Sequence, residues 1–235
     1  MNLFYSEDIK ENANEIYLKD QEHRHLVKSL RIDINEIVFI TDGKGNKYET
    51  RLVEKERNKS KLEIINKFTV SEKKSELSIA ISPTKKSNRF EWFLEKVTEI
   101  GISSIYPLVC DHSEKKSLNI NRAKKILISS MKQSLQTYLP NIYEPTDFGN
   151  FVKNPHRNEL KLIATNKTDY NPKPFSEIAG MDKTLIMIGP EGGFSDAELI
   201  IAKNAKFTAV SLGDNRLRTE TAGVACAMLH NLIKK

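Results

Sequence analysis

The hydrophobic pattern of this chain changes character once, near residue 76. Before that point, short apolar runs rich in β-branched and aromatic residues predict strands at Glu36–Thr41, Tyr48–Val53 and Leu62–Phe68. Asp42-Gly43-Lys44-Gly45-Asn46 predicts the turn that joins the first two as a hairpin. Asp20–Leu30 sets Leu26, Val27 and Leu30 on one helical face. The polar stretch Ser71–Glu76 marks a boundary. Beyond it come a strand at Leu77–Ile81, a loop at Ser82–Asn88 and a helix at Arg89–Ile100. That helix spaces Phe90, Phe93, Leu94, Val97 and Ile100 at helical intervals and stops at Gly101. Ser103–Val109 predicts the next strand, and Asn121–Leu139 a long helix with Ile126, Leu127, Met131, Leu135 and Tyr138 on its apolar side. Strands follow at Leu160–Ala164, Leu185–Ile188 and Phe207–Leu212, the last two each leading through a loop into a helix. Such alternation predicts a mostly parallel α/β sheet. The expected organisation is a small β-barrel-like domain over 1–72 and an α/β domain over 73–235.

Two loops draw the chemistry together. The strand at Leu185–Ile188 ends in Gly189-Pro190-Glu191-Gly192-Gly193, and the strand at Phe207–Leu212 ends in Gly213-Asp214-Asn215-Arg216-Leu217-Arg218-Thr219-Glu220-Thr221. Ligands of open α/β sheets sit at the carboxyl ends of the strands, where such loops emerge. Gly189, Gly192 and Gly193 permit left-handed backbone and close approach to a ligand. Ser195-Asp196-Ala197-Glu198 predicts a capping box that starts the next helix. Neither the Walker A pattern nor the dinucleotide pattern G-x-G-x-x-G is present. A tight strand-to-helix turn without a ligand is the plainer alternative for either loop alone.

Composition narrows the picture further. Hydrophobic residues make up 39% and charged residues 29%, as in ordinary globular proteins. No stretch approaches the length of a membrane span, and Met1-Asn2-Leu3-Phe4 does not begin a signal peptide, so a cytoplasmic protein without membrane contact is expected. Cys110 and Cys226 lack the spacing of metal ligands and are expected as buried, reduced thiols, with no metal. Lys and Arg number 37 against 31 acidic residues, a net charge of +6 that suits a polyanionic partner. Charges over residues 1–70 balance, so the excess lies in 71–235.

The paired segments IGPEGGFSDAEL and LGDNRLRTETA resemble the two C-terminal motifs of the RsmE family within the SPOUT methyltransferases. Further matches run through the chain. His25-Leu26-Val27-Lys28-Ser29-Leu30-Arg31 resembles a motif of the family's PUA-like N-terminal domain, with Asn35-Glu36 in place of its Gly-Asp turn. Lys96-Val97-Thr98-Glu99-Ile100-Gly101 is similar to its Lys-x-x-Glu-Leu-Gly signature. Lys132-Gln133-Ser134-Leu135-Gln136 falls where the family reads Glu-Gln-Ser-x-Arg, so Lys132 and Gln136 depart from it.

The resemblance implies a PUA-like β-barrel that binds RNA, followed by a SPOUT domain whose C-terminal segment forms a trefoil knot, an exception to unknotted folding. It implies transfer of a methyl group from S-adenosyl-L-methionine to N3 of a uridine (1498 in the usual numbering) of 16S rRNA in the 30S subunit, by a homodimer. Ribose 2′-O methylation and a non-catalytic ribosome-binding role are the alternatives. The implied cofactor residues are Thr165, Ile188, Gly189, Pro190, Glu191, Gly192, Leu212, Gly213, Leu217, Arg218 and Thr221. Arg218 is the leading candidate to meet charge developing on the base, with Glu220 and Glu191 the candidate general bases. A salt bridge from Arg218 to Glu191 or Glu220, and helix capping by Thr219, Glu220 and Thr221, are the structural alternatives. Arg31, Lys85, Lys86, Arg89 and Lys96 are expected to contact RNA, although Lys96 and Glu99 are equally suited to an i,i+3 surface pair. Val224, Met228 and Leu232 form a stripe that fits either a dimer contact or the core.

Overall fold

The computed structural model describes residues 2–70, 76–154, 160–178 and 183–233. Residues 71–75, most of the polar boundary expected from the sequence, lie outside the described residues. The chain forms two compact units, one from Met1–Glu72 with Ile128–Leu139 and the other from Lys73–Leu127 with Pro140–Lys235. Each is taken by itself.

The first unit is a five-stranded sheet of β1 (Leu3–Tyr5), β2 (Glu15–Lys19), β3 (Ile37–Thr41), β4 (Asn46–Lys55) and β5 (Lys59–Thr69). Its order is β1-β3-β4-β5-β2, with β1 parallel to β3 and the other pairs antiparallel. Phe4, Ile16, Leu18, Leu26, Ile40, Leu52 and Leu62 form its core. The expected hairpin is present between β3 and β4, and Asn35 takes the left-handed turn anticipated for it, at φ 72°. The helix expected over Asp20–Leu30 divides. It begins as α1 (Asp20–Arg24) and widens into a π turn at His25–Ser29, with the Leu30 amide donating to His25 O. β1 and β2 were not singled out by sequence: three residues carry no period, and the five of β2 sit between charged neighbours.

Ile128–Leu139, placed in the second domain by its position in sequence, joins this first unit. The helix α3 (Ile120–Gln133) ends well before the expected Leu139. Leu135 has φ 56°, which an α-helix excludes, and the Ser134 hydroxyl donates back to Ser130 O at 2.8 Å. The chain then runs along the β3–β4 turn. Gly45 N donates to Thr137 O at 2.9 Å, Leu139 N to Gly43 O at 2.8 Å, and the Tyr138 hydroxyl to Val70 O at 3.1 Å.

The second unit is built on a parallel sheet in the order β11-β13-β10-β12-β6-β7-β8. Its strands are β6 (Glu76–Ile81), β7 (Ser104–Val109), β8 (Asn141–Ile142), β10 (Leu160–Ala164), β11 (Lys173–Pro174), β12 (Lys183–Ile188) and β13 (Thr208–Ser211), while β9 (Thr146–Asp147) pairs with β7. Central β12 is buried from Thr184 to Ile188, which explains its continuous apolar run. Helices α4 (Phe148–Lys153), α5 (Phe175–Ile178) and α6 (Asp196–Asn204) accompany the sheet, and α2 (Ser87–Ile100) packs on α7 (Thr219–Ile233). Phe90, Phe93, Leu94 and Val97 fill the inner side of α2, and Gly101 ends it at φ 91°. Small residues on α7 let the helices approach: a Cβ on Gly223 would come 2.4 Å from the Phe93 ring. Short α4 was invisible to periodicity. It starts at Asp147, whose carboxylate accepts from Gly149 N and Asn150 N.

Candidate functional site

β10, β12 and β13 are mutually parallel neighbours, so their carboxyl ends open on one edge of the sheet. The loops leaving them enclose a cavity of about 380 Å³. Of the expected cofactor residues, Thr165, Ile188, Gly189 and Pro190 line it, as do Glu191, Gly192, Leu212 and Leu217. Gly213, Arg218 and Thr221 do not. Sequence reasoning missed Ala164, Asn166, Lys167, Phe194, Asn215, Arg216, Thr219 and Ala222, which with Gly193 complete the wall. Their nearness to the glycine motifs in sequence was the available signal; their side chains carry no pattern of their own.

Hydrogen bonds hold the loops to one another. The Thr219 hydroxyl donates to Gly189 O at 3.0 Å, joining the start of α7 to the end of β12. Arg216 Nη2 donates to Glu191 O at 2.9 Å. Gly193 N donates to Pro190 O at 2.8 Å, closing the turn. Of the three glycines expected to be left-handed, Gly193 alone is, at φ 73° with open space around its would-be Cβ. Gly189 and Gly192 serve packing instead. A Cβ on Gly189 would come 3.2 Å from Phe194, and one on Gly192 3.1 Å from His112 Cβ. The capping box is present, with Ser195 Oγ accepting from Glu198 N and Glu198 Oε2 accepting from Ser195 N. Glu198 is buried and its other oxygen accepts from Asp111 N at 3.0 Å, tying the loop after β7 to α6.

The remaining candidates fall into different environments. Arg218 is exposed at the start of α7, and its side chain has no hydrogen-bond or ion-pair partner among the described residues. The bridges to Glu191 or Glu220 allowed by sequence are not formed. Glu220 is 6% exposed and lies off the cavity wall. Its Oε1 is 3.7 Å from Arg89 Nε, and its Oε2 is buried without a hydrogen-bond partner. Through Arg89 this carboxylate links α7 to α2. Arg89, its partner, keeps its side chain about 30% exposed.

Lys96 bonds Glu95 at 2.7 Å and Glu99 at 2.9 Å, the surface-pair alternative. Lys85 meets Glu114 at 2.6 Å, which raises its pKa, and Lys86 is exposed at the N-cap of α2. In the first unit, Arg31 is exposed with φ 53°, just after the π turn. Lys132, a departure from the family pattern, sits 2.5 Å from Glu22, and Glu22 also accepts from Tyr5 N at 3.2 Å. The lysine thus answers a carboxylate that a glutamate there would repel.

Both cysteines are buried and free, and burial pushes both thiols far above their ordinary value. Among the described residues, no group of three or more His, Cys, Asp or Glu could hold a metal ion. No helix there is long and apolar enough to cross a membrane. On α7, Val224 is half-buried while Met228 and Leu232 are exposed, so the stripe is not core.

The wall chemistry suits a cofactor with a nucleoside, a cationic centre and an amino-acid end. Ile188, Leu212, Leu217 and Ala222 offer apolar surface, Glu191 a carboxylate, and Lys167 and Arg216 cations. Comparisons with known proteins agree with this architecture. Residues 71–231 match the model of an RNA methyltransferase domain, and residues 18–65 that of an RNA methyltransferase PUA domain. The chain is 30% identical over 204 residues to ribosomal RNA small subunit methyltransferase E of Mesomycoplasma hyopneumoniae (strain 232), covering 84% of this chain and 86% of that one. It is 28% identical over 227 residues to the protein of the same name from Rickettsia conorii (strain ATCC VR-613 / Malish 7), covering 94% and 91%. The crystal structure of ribosomal RNA small subunit methyltransferase E from Neisseria gonorrhoeae, bound to S-adenosyl methionine, is similar with a TM-score of 0.89 at 26% identity, over 100% of this chain and 98% of that one. With a PUA-like unit, a parallel SPOUT-like sheet and a loop-built cavity at its edge, the chain belongs to the ribosomal RNA small subunit methyltransferase E family.

Proposed function

We propose that this chain methylates N3 of one uridine, 1498 in the usual numbering, in 16S rRNA within the 30S subunit, using S-adenosylmethionine. The observation that carries the reading is the cavity walled by the loops after β10, β12 and β13, where both glycine motifs meet. When bound, the cofactor supplies an electrophilic methyl group on a sulfonium. The chain's part is to bind it between Ile188, Leu212 and Leu217 and keep the adenosine away from water. Glu191 offers charge that complements the sulfonium, while Arg216 and Lys167 suit a carboxylate. Holding two reactants in line supplies much of the barrier reduction in a displacement of this kind.

Arg218 stands free and exposed beside the Leu217 wall, suited to meet negative charge that grows on the uracil carbonyls or to fix the nucleotide's phosphate. Membership of the family supports the trefoil crossing around β10, β12 and β13 and a cytoplasmic setting. The exposed Met228 and Leu232 support a homodimer through α7. The test is to incubate the protein with labelled S-adenosylmethionine and undermethylated small subunits, then identify the modified nucleoside by mass spectrometry. A ribose 2′-O product, or none, overturns the reading.

A further inference from the structure

Methylation at N3 requires a proton to leave a nitrogen flanked by two carbonyls, and the cavity wall offers few groups to take it. Glu191 Oε1 is directed at the Lys85 backbone amide, 3.4 Å away. Lys167 is paired with Asp196 at 2.7 Å, and Glu220 is enclosed against Arg89. Among the described residues, a histidine also touches the glycine loop. His112, on the loop after β7, lies with Nδ1 3.0 Å from Gly193 O, and its Cβ is the atom that a Cβ on Gly192 would meet. Gly192 and Gly193 both line the cavity, and His112 stands against that loop without lining the cavity itself.

The local bonding defines the ring's proton. A carbonyl oxygen only accepts, so Nδ1 carries the hydrogen, and the neutral ring's lone pair is on Nε2. The residue is exposed, while its chain neighbours on both sides are held in place. Ser113 N donates to Cys110 O at 3.0 Å and Cys110 N to Ser113 Oγ at 2.8 Å. Ser113 Oγ shares a hydrogen bond of 2.8 Å with Ser82 Oγ after β6. Asp111 donates its amide to Glu198 and accepts from Ser195 Oγ at 2.5 Å. A prop for Gly193 needs only a donor; an imidazole adds a proton acceptor to it. We propose that His112 is the general base that takes the N3 proton of the target uridine, an inference that rests on the N3 reading above. The N3–H bond breaks and its proton passes to Nε2. The N3 electron pair forms the bond to the methyl carbon, and the carbon–sulfur pair returns to sulfur. S-adenosylhomocysteine leaves, and the imidazolium releases its proton to water. The charged groups on the elements packed around the ring are Asp111, Glu114, Lys115 and Lys116 of its own loop, Glu191 of the glycine loop, Lys85 and Lys86 after β6, and Asp196, Glu198 and Lys203 of α6. Glu114 is paired with Lys85, and Asp196 with Lys167.

His112→Asn separates a base from a prop, because the amide nitrogen can replace the Nδ1 donor to Gly193 O while nothing replaces Nε2. Single-turnover methylation of undermethylated small subunits is followed against pH, with calorimetry for S-adenosylmethionine. Near neutral pH the variant is expected to be about 100-fold slower or more, with cofactor affinity within about twofold of wild type. The gap closes as pH rises, since uridine then ionises unaided. It also narrows on RNA carrying 5-fluorouridine, whose N3 proton is more acidic. A rate within about threefold of wild type overturns the proposal, as does a loss that is uniform across pH and unmoved by the fluorinated substrate. The wild-type product, identified by mass spectrometry, keeps the two readings apart. N3-methyluridine with an undisturbed variant overturns the role of His112 alone, and any other product overturns the N3 reading and this role with it.

Discussion

Replacing Gly223 with Ala should destabilise the second unit by about 2 kcal/mol, opposite in sign to what helix propensity predicts. Inside a helix, Ala is favoured over Gly by roughly 1 kcal/mol. The new Cβ, however, would stand 2.4 Å from Phe93 Cε2, 2.7 Å from Phe93 Cδ2 and 3.0 Å from Ile81 Cδ1. Carbon contacts are favourable at about 3.5–4.0 Å, so the ring must retreat by about an ångström or α7 must lift from α2. Phe93 has little room, being fully buried and tilted against Phe90 with ring centroids 5.5 Å apart. Overpacking of this kind costs typically 1–3 kcal/mol and sometimes more. A cost near the top of that range, offset by roughly 1 kcal/mol of propensity, leaves about 2 kcal/mol. For a chain of this length the melting temperature should drop by about 4–8 °C. Phe93→Leu supplies the control: it destabilises alone, yet should partly relieve Gly223→Ala, with a coupling on the order of 1 kcal/mol in a double-mutant cycle. An unchanged or higher melting temperature, or strict additivity of the two substitutions, refutes the packing argument. Because Thr219 and Ala222 of the same helix line the cavity, cofactor affinity should weaken along with stability.

Arg218→Ala should slow methylation by about 100-fold or more while melting temperature and S-adenosylmethionine affinity hold; a parallel collapse of cofactor affinity would move Arg218 from substrate to cofactor. Lys132→Glu, which restores the family's usual residue, should destabilise by about 1–3 kcal/mol by facing Glu22 with a like charge. Pairing it with Glu22→Lys should recover much of that loss in thermal melts, and failure to do so would show that the pair is incidental. Burial, with help from Glu7, Asp42 and Asp8, pushes the Tyr5 phenol from 10.0 up to about 12. A raised pKa favours the neutral form in the folded state. Its contribution is therefore complete below pH 10 and lost as pH climbs towards 12. Melting temperatures of Tyr5→Phe should accordingly fall less than wild type over that interval, and equal slopes would exclude Tyr5 as a source of the alkaline loss.

How much of this was legible depended on whether a residue's role was written in its neighbours. The strand Leu185–Ile188 was visible because burial on both faces leaves an unbroken apolar run, and Leu160–Ala164 because only Lys161 interrupts its apolar residues. The cavity's glycine loops were visible for a related reason, since a strand end followed by glycines and a capping box is a local signature. The pairing of Arg89 with Glu220 was hidden because exposure is not local: one side of α2 meets one side of α7, and only the packed helices bring the two side chains together. The end of α3 was hidden in the same way. Its apolar spacing continues to Tyr138, but those side chains serve the β3–β4 turn once Leu135 has left helical geometry. His112 gave no sign at all, because its partner Gly193 is a carbonyl 81 residues along the chain.

The discontinuity of the first unit has a temporal consequence. During synthesis, the strands up to Thr69 emerge and can pair long before Ile128–Leu139 is made. At about 5–20 residues per second, the Gly43–Gly45 turn and the Val70 carbonyl wait on the order of several seconds for Thr137, Tyr138 and Leu139. Over that interval Glu22 has no Lys132, and the five-stranded sheet stands without the segment that covers its β3–β4 turn. The N-terminal unit therefore completes its fold only after the first strands of its neighbour, β6 and β7, have left the ribosome. A nascent chain halted before Leu139 would be the form most exposed to proteolysis and most in need of a chaperone.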